Sequence, residues 1–138
     1  MNREIKFRGR RKNGGSWIYG DLCRQELTTC IFPQDAYDGY NNYIVDKSTV
    51  GQYTGLKDKN GVEIYEEDIM NDPTSKNVGI VEWNNILTQF QLSWQNMPTA
   101  ADLFFMVKNG SLVIGNIHDN PELINKEETK RQCKECYG

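Results

Sequence analysis

The chain has 138 residues, with 16 Lys and Arg against 19 Asp and Glu, for a net charge of −3. Hydrophobic residues make up 38% and charged residues 25%, which supplies a modest core and excludes a disordered chain. That length suits one domain or two small subdomains sharing a core, and the acidic balance excludes a protein that binds polyanions with its whole surface.

Charge is unevenly spread. Arg3, Lys6, Arg8, Arg10, Arg11 and Lys12 stand against Glu4 in residues 1–12, a local +5 that leaves −8 for the rest. No apolar run follows this basic start, so the sequence predicts no signal peptide. The longest apolar run, Leu103 to Val107, is far short of the roughly 20 residues that span a bilayer. We therefore expect a cytoplasmic protein, with Cys23, Cys30, Cys133 and Cys136 as reduced thiols.

In chain order, Asn/Gly turns separate short β-prone runs. Asn13-Gly14-Gly15 lies between Glu4–Arg11 and Ser16–Leu22, and Asn60-Gly61 between Tyr53–Leu56 and Val62–Tyr65. Asn84-Asn85 divides Val78–Trp83 from Thr88–Trp94, and Asn109-Gly110 divides Leu103–Lys108 from Ser111–Ile117. Asn and Gly tolerate the positive φ of tight turns, so each pair signals a hairpin. Ile5 and Phe7 alternate with Lys6 and Arg8, and Phe90, Leu92 and Trp94 with Gln89, Gln91 and Ser93, as half-buried strands require. Leu103–Val107 lacks alternation, so strand and helix both stay open there; Thr99 with Asp102 is a helix-opening pattern through Ala100-Ala101. Residues 33–43, with Pro33, Gly39, Tyr37, Tyr40 and Tyr43, read as a long loop. Asn120 as N-cap and Pro121 at the first helical position predict a short final helix, followed by a polar tail from Lys126.

Three stretches carry a family resemblance. They are Arg3–Arg8 with Trp17-Ile18-Tyr19-Gly20, the long run Gln52–Ile69, and Val113–Leu123. In order and spanning nearly the whole chain, they resemble the YopX family of phage and prophage proteins. Glu67 stands where that family usually has Gly, and His118 where an aromatic is common. The resemblance implies a phage or prophage origin, a small barrel of the Src-homology-3 type in the C-terminal part, and no established biochemical role. It brings no catalytic residues.

The residues agree with a mainly β protein built from antiparallel hairpins. Val62–Met70, Val78–Trp83, Thr88–Trp94, Leu103–Lys108 and Leu112–Ile117 supply the five strands a small barrel needs. The expected layout is an N-terminal β subdomain over 1–50, the SH3-like barrel over 51–120, and a short helix with a tail over 121–138.

Each chemical constellation has a plainer reading beside it. Cys133-Lys134-Glu135-Cys136 is half of a zinc-ribbon signature, and Cys23 with Cys30 has the wrong spacing to complete it, so no metal is expected. His118, the one histidine, has no activated nucleophile in its sequence context. Glu63, Glu66, Glu67, Asp68 and Asp72 lack calcium-loop spacing and read as a solvated acidic edge. Gly9, Gly14 and Gly15 do not form a phosphate loop. The chain is thus expected to be no enzyme and to hold no cofactor. The leading expectation is a protein-binding module that offers Tyr37, Tyr40 and Tyr43 to an unknown host or phage protein. The alternative is a nucleic-acid-binding factor using Arg8, Arg10, Arg11 and Lys12 with Trp17 for stacking, although the acidic remainder makes nucleic acid an unfavoured partner. A homo-oligomer pairing basic strand with acidic edge is also expected to be open to the chain.

Overall fold

A computed structural model describes residues 3–37 and 39–124. The chain divides into two compact units, Met1–Gly55 and Leu56 onward. Both are built on antiparallel strands, as the alternation and the turns predict.

The first unit contains β1 (Phe7–Arg10), β2 (Trp17–Arg24), β3 (Thr29–Phe32) and most of β4 (Gly51–Lys57), in the sheet order β3-β2-β1-β4. The β1–β2 turn is the Asn13-Gly14-Gly15 segment, with φ of 96° and 74° at the two glycines. Its core is Ile18, Cys30, Ile31, Tyr43 and Val45, with Phe7, Leu22 and Phe32 packed against them. Cys30 and Ile31 are neighbours in β3 and both are wholly buried. Successive strand residues point to opposite faces, so β3 is covered on both sides. Gly20 permits one close approach: a Cβ there would stand 2.2 Å from the Phe32 carbonyl oxygen. Segment 39–50 then lies along the sheet through bridges Arg11 to Val45 and Cys30 to Ile44. Asp46 fixes its end by accepting from the Ser48 amide at 3.1 Å and hydroxyl at 2.9 Å.

The second unit opens with the end of β4, which turns through Asn60-Gly61 (φ 84° at Gly61) into β5 (Glu63–Tyr65). The strands β6 (Asp68–Asn71), β7 (Val78–Asn84), β8 (Gln89–Trp94), β9 (Ala100–Asp102) and β10 (Val113–Asn116) form a second sheet, ordered β10-β6-β7-β8-β9. Between β9 and β10 lies helix α1 (Leu103–Lys108). Ile64, Met70, Val81, Leu92, Leu103 and Met106 make the core, with Phe90 and Trp94 leaning on it. No helix among the described residues is long and apolar enough to cross a membrane.

Several expectations change here. Among the described residues no closed barrel is found: β9 and β10 are the two ends of the second sheet and do not pair with one another. The expected barrel strand Leu103–Lys108 is helical because Leu103 and Met106, three apart, share the buried face. Asp102 is its N-cap, accepting from the Phe105 amide at 3.2 Å, while Ala100-Ala101 extend β9 instead of opening the helix. Asn109-Gly110, with φ 101° at Gly110, ends that helix and is not a hairpin turn. At the far end, Pro121–Leu123 forms a single 3₁₀ turn. The Asn120 side chain accepts from the Asn116 amide behind it, at 3.2 Å, and so does not cap that turn. The expected tail, with Cys133 and Cys136, lies outside the described residues.

One carboxylate ties the second unit together. Asp58 is buried; its Oδ1 accepts from the amides of Asn60 (2.9 Å) and Val62 (3.0 Å), and its Oδ2 from Val113 of β10 (3.1 Å). A local hairpin turn and a strand 55 residues on in sequence thus depend on one side chain. Replacing Asp58→Ala leaves three amide donors short of an acceptor, and a loss of about 3 kcal/mol is expected. Urea unfolding should show this, with Asp58→Asn retaining part of the stability.

Candidate functional site

The loop after β3 is assembled from its tyrosines. Tyr43 is 6% exposed and belongs to the first unit's core, its ring tilted on Phe32 at 5.3 Å between centroids. Its hydroxyl accepts from the Tyr37 amide at 3.0 Å, which turns the loop back on itself. Tyr43 is therefore an anchor, and the two surface tyrosines are Tyr37 (87% exposed) and Tyr40 (42%).

Tyr40 is exposed yet held. Its hydroxyl donates to Gln25 Oε1 at 2.8 Å and shares a 2.6 Å hydrogen bond with the Thr28 hydroxyl. Gln25 and Thr28 close the β2–β3 turn through the Gln25 amide and Thr28 carbonyl (2.8 Å), and Leu27 at the tip is 92% exposed. The Thr28 hydrogen bond is the largest influence on the Tyr40 phenol and acts downward. The Cys30 thiol, burial and the charges of Cys30 and Cys23 outweigh it and leave the phenol raised. Two turn residues, Gln25 and Thr28, thus hold one hydroxyl.

Two clefts flank the same hairpin. One, of about 440 Å³, has Leu22 and Val50 in its lining, with Arg24, Thr29, Lys47 and Ser48. The other, of about 430 Å³, runs beside the turn and is lined in part by Lys12, Leu27, Ile44 and Asp46 as well as Arg24 and Lys47. Lys12, Arg24 and Lys47 make no ion pair among the described residues. The linings join apolar side chains to Lys12, Arg24 and Lys47, with Glu26 and Asp46 beside them.

The basic N-terminal strip is arranged differently from a strand-binding groove. Arg8 is 6% exposed, and its guanidinium stacks on Trp17 at 4.7 Å, with Arg10 over the same ring at 5.5 Å. Arg11 Nε donates to the Ser16 hydroxyl at 3.0 Å and its Nη1 to the Asn42 carbonyl at 3.4 Å. Trp17 thus carries its own cations, and of the four basic residues Lys12 is the one fully turned to solvent.

The carboxylate group is spent on structure. Buried Asp68 accepts from the Tyr65 amide at 2.7 Å, and Glu63 from the Tyr65 hydroxyl at 2.9 Å. The Thr74 amide, helped by the Ser75 and Thr74 hydroxyls, holds the Asp72 carboxyl below its ordinary value against slight desolvation. Glu67 has φ 72° and meets His118 Nε2 at 2.7 Å. Among the described residues no three His, Cys, Asp or Glu side chains group as metal ligands.

Sequence reasoning missed the direct pairing of Cys23 with Cys30. Their turn is Glu26-Leu27, which lacks the Asn-Gly signal. The readable clue was the β-prone run Thr29–Phe32.

The tyrosines should separate by role. Tyr43→Ala is expected to cost about 3–5 kcal/mol as an aromatic core truncation, and Tyr40→Phe clearly less, because its hydrogen bonds lie at the surface. Tyr37→Ala should change stability by no more than about 0.5 kcal/mol. Chemical denaturation of the three variants checks the order.

No curated protein matches the chain. Among solved structures it is similar to the crystal structure of protein EF1440 from Enterococcus faecalis. That match has 24% identity and a TM-score of 0.53, and covers 90% of this chain and 100% of that one. At that identity the likeness speaks for the fold alone. Residues 6–125 match the YopX protein family, nearly the full length of the chain. The chain belongs to the YopX protein family.

Proposed function

We propose that the chain is a non-enzymatic protein-binding module of phage or prophage origin, acting in the cytoplasm of a bacterial host. Its binding face is the first unit's tyrosine loop with the tip of the β2–β3 hairpin. The observation that carries this is the fastening of Tyr40 to Gln25 and Thr28 beside exposed Leu27. A fixed aromatic ring loses little conformational freedom on binding, and such anchors dominate interface energies. Lys12, Arg24 and Lys47, three cations beside the two carboxylates Glu26 and Asp46, favour a partner segment that is apolar with an acidic flank.

The second unit serves as the scaffold in this reading. For residues 51–120 the family resemblance still suggests a Src-homology-3-like plan, here in open form.

Affinity capture from lysogenic cell extract, with and without nuclease, tests the proposal. A protein should be retained after nuclease, and its retention should fall at least about tenfold, roughly 1.4 kcal/mol, in Tyr37→Ala/Leu27→Asp. Capture that nuclease abolishes, and that replacing Arg10 and Arg11 with Gln also abolishes, would favour nucleic acid as the ligand instead.

A further inference from the structure

Cys23 and Cys30 are register partners in the β2–β3 hairpin. Directly opposed residues of an antiparallel pair project to the same face. The Gln25 amide bonds the Thr28 carbonyl, so alternation makes Cys23 and Cys30 the next hydrogen-bonded pair. The Thr29 carbonyl agrees: it points away from β2, to the Val45 amide at 2.9 Å. Cα atoms of such a pair stand about 5.5 Å apart, inside the range of about 4.4–6.8 Å that a disulfide spans. Both thiols are free in this structure.

We propose that Cys23 and Cys30 form a reversible dithiol–disulfide site, oxidised by a small disulfide such as glutathione disulfide. Their accessibility sets the order of events. Cys23 is half-buried and Cys30 wholly buried, so Cys23 reacts first. Its thiolate attacks a glutathione sulfur, a protein–glutathione disulfide forms, and one glutathione thiolate leaves. The Cys30 thiolate then attacks the Cys23 sulfur, the intramolecular bond forms, and the second glutathione leaves. The two protons given up by the protein thiols pass to the two glutathione thiolates. One disulfide is reduced and one dithiol oxidised, so the electrons balance.

The site is placed to act on the tyrosine loop. The Tyr40 hydroxyl fastens that loop to Gln25 and Thr28, in the turn that joins Cys23 to Cys30. Bridging ties the two strands together directly beside that turn and shifts its hold on the Tyr40 hydroxyl, loosening the loop it fastens. This consequence for partner binding rests on the function proposed above; the thiol chemistry does not.

The test uses the full chain with Cys133→Ser and Cys136→Ser, so that no other pair can bridge. After glutathione disulfide treatment, intact mass should fall by two hydrogens, and maleimide labelling of the denatured protein should be lost. Dithiothreitol should restore both. Adding Cys30→Ser should stall the reaction at the glutathione adduct, and Cys23→Ser should leave Cys30 unreacted. Accumulation of the adduct with Cys30 still labelled, or a chain that stays reduced while an exposed cysteine peptide oxidises, overturns the site. Amide exchange supplies the second readout. Residues 36–43 should exchange faster in the bridged protein, and unchanged exchange would overturn the coupling to the loop.

Discussion

A β-strand with two consecutive wholly buried residues must be covered on both faces, and β3 is such a strand at Cys30 and Ile31. On one face Ile31 and Val45 close over Gly9 and leave it little room: a Cβ there would lie 3.1 Å from Ile31 Cδ1 and 3.2 Å from Val45 Cβ. The other face, with Cys30 and Phe32, is closed by Tyr43 and the segment around it. The loop that follows β3 is thereby part of the core's construction. Burying Tyr43 offsets the cost of ordering residues that would otherwise remain a polar connection. Tyr37 and Tyr40 then stand at the surface on a backbone whose position is already set.

The second unit answers a different constraint. Its many hairpins leave amides that need acceptors, and acidic side chains provide them. Asp58 serves three amides, Asp68 one, and Asp72 one together with two hydroxyls. Carboxylates engaged in this way are poorly suited to bind a cation or move a proton. Glu67 and His118 form a contact at the β5–β6 turn, where Glu67 also receives the Ile117 amide on its carbonyl at 3.1 Å. This geometry is that of a turn held in place, with both residues half-buried.

Much of the strand layout was legible in the sequence because period-2 alternation and Asn/Gly turns have local causes. Leu92 is buried between the half-buried Phe90 and Trp94, as alternation requires, and Gly14, Gly15 and Gly61 all adopt positive φ. Legibility failed where a local signal served a different end. Asn109-Gly110 suits a helix C-terminus as well as a hairpin, and short apolar runs do not distinguish helix from strand. Of the predicted tyrosine trio, Tyr43 differs from Tyr37 and Tyr40 only through a partner, Phe32, that neighbouring residues do not reveal. Arg8 and Trp17, which the sequence groups as a strip for an outside ligand, instead meet one another in the fold. Cys23 and Cys30 became a pair only once the register of β2 and β3 was known.

The central claim is that Tyr37 and residues 39–43 are fixed by the buried Tyr43 and its hydroxyl. Residue-resolved amide exchange measures this at the Tyr37 N–H, which donates to that hydroxyl at 3.0 Å. In the unaltered chain this amide should be protected, and in Tyr43→Phe it should lose its protection while the β3 amides keep theirs. A Tyr37 amide that exchanges at the rate of an unstructured peptide in the unaltered chain would contradict the account.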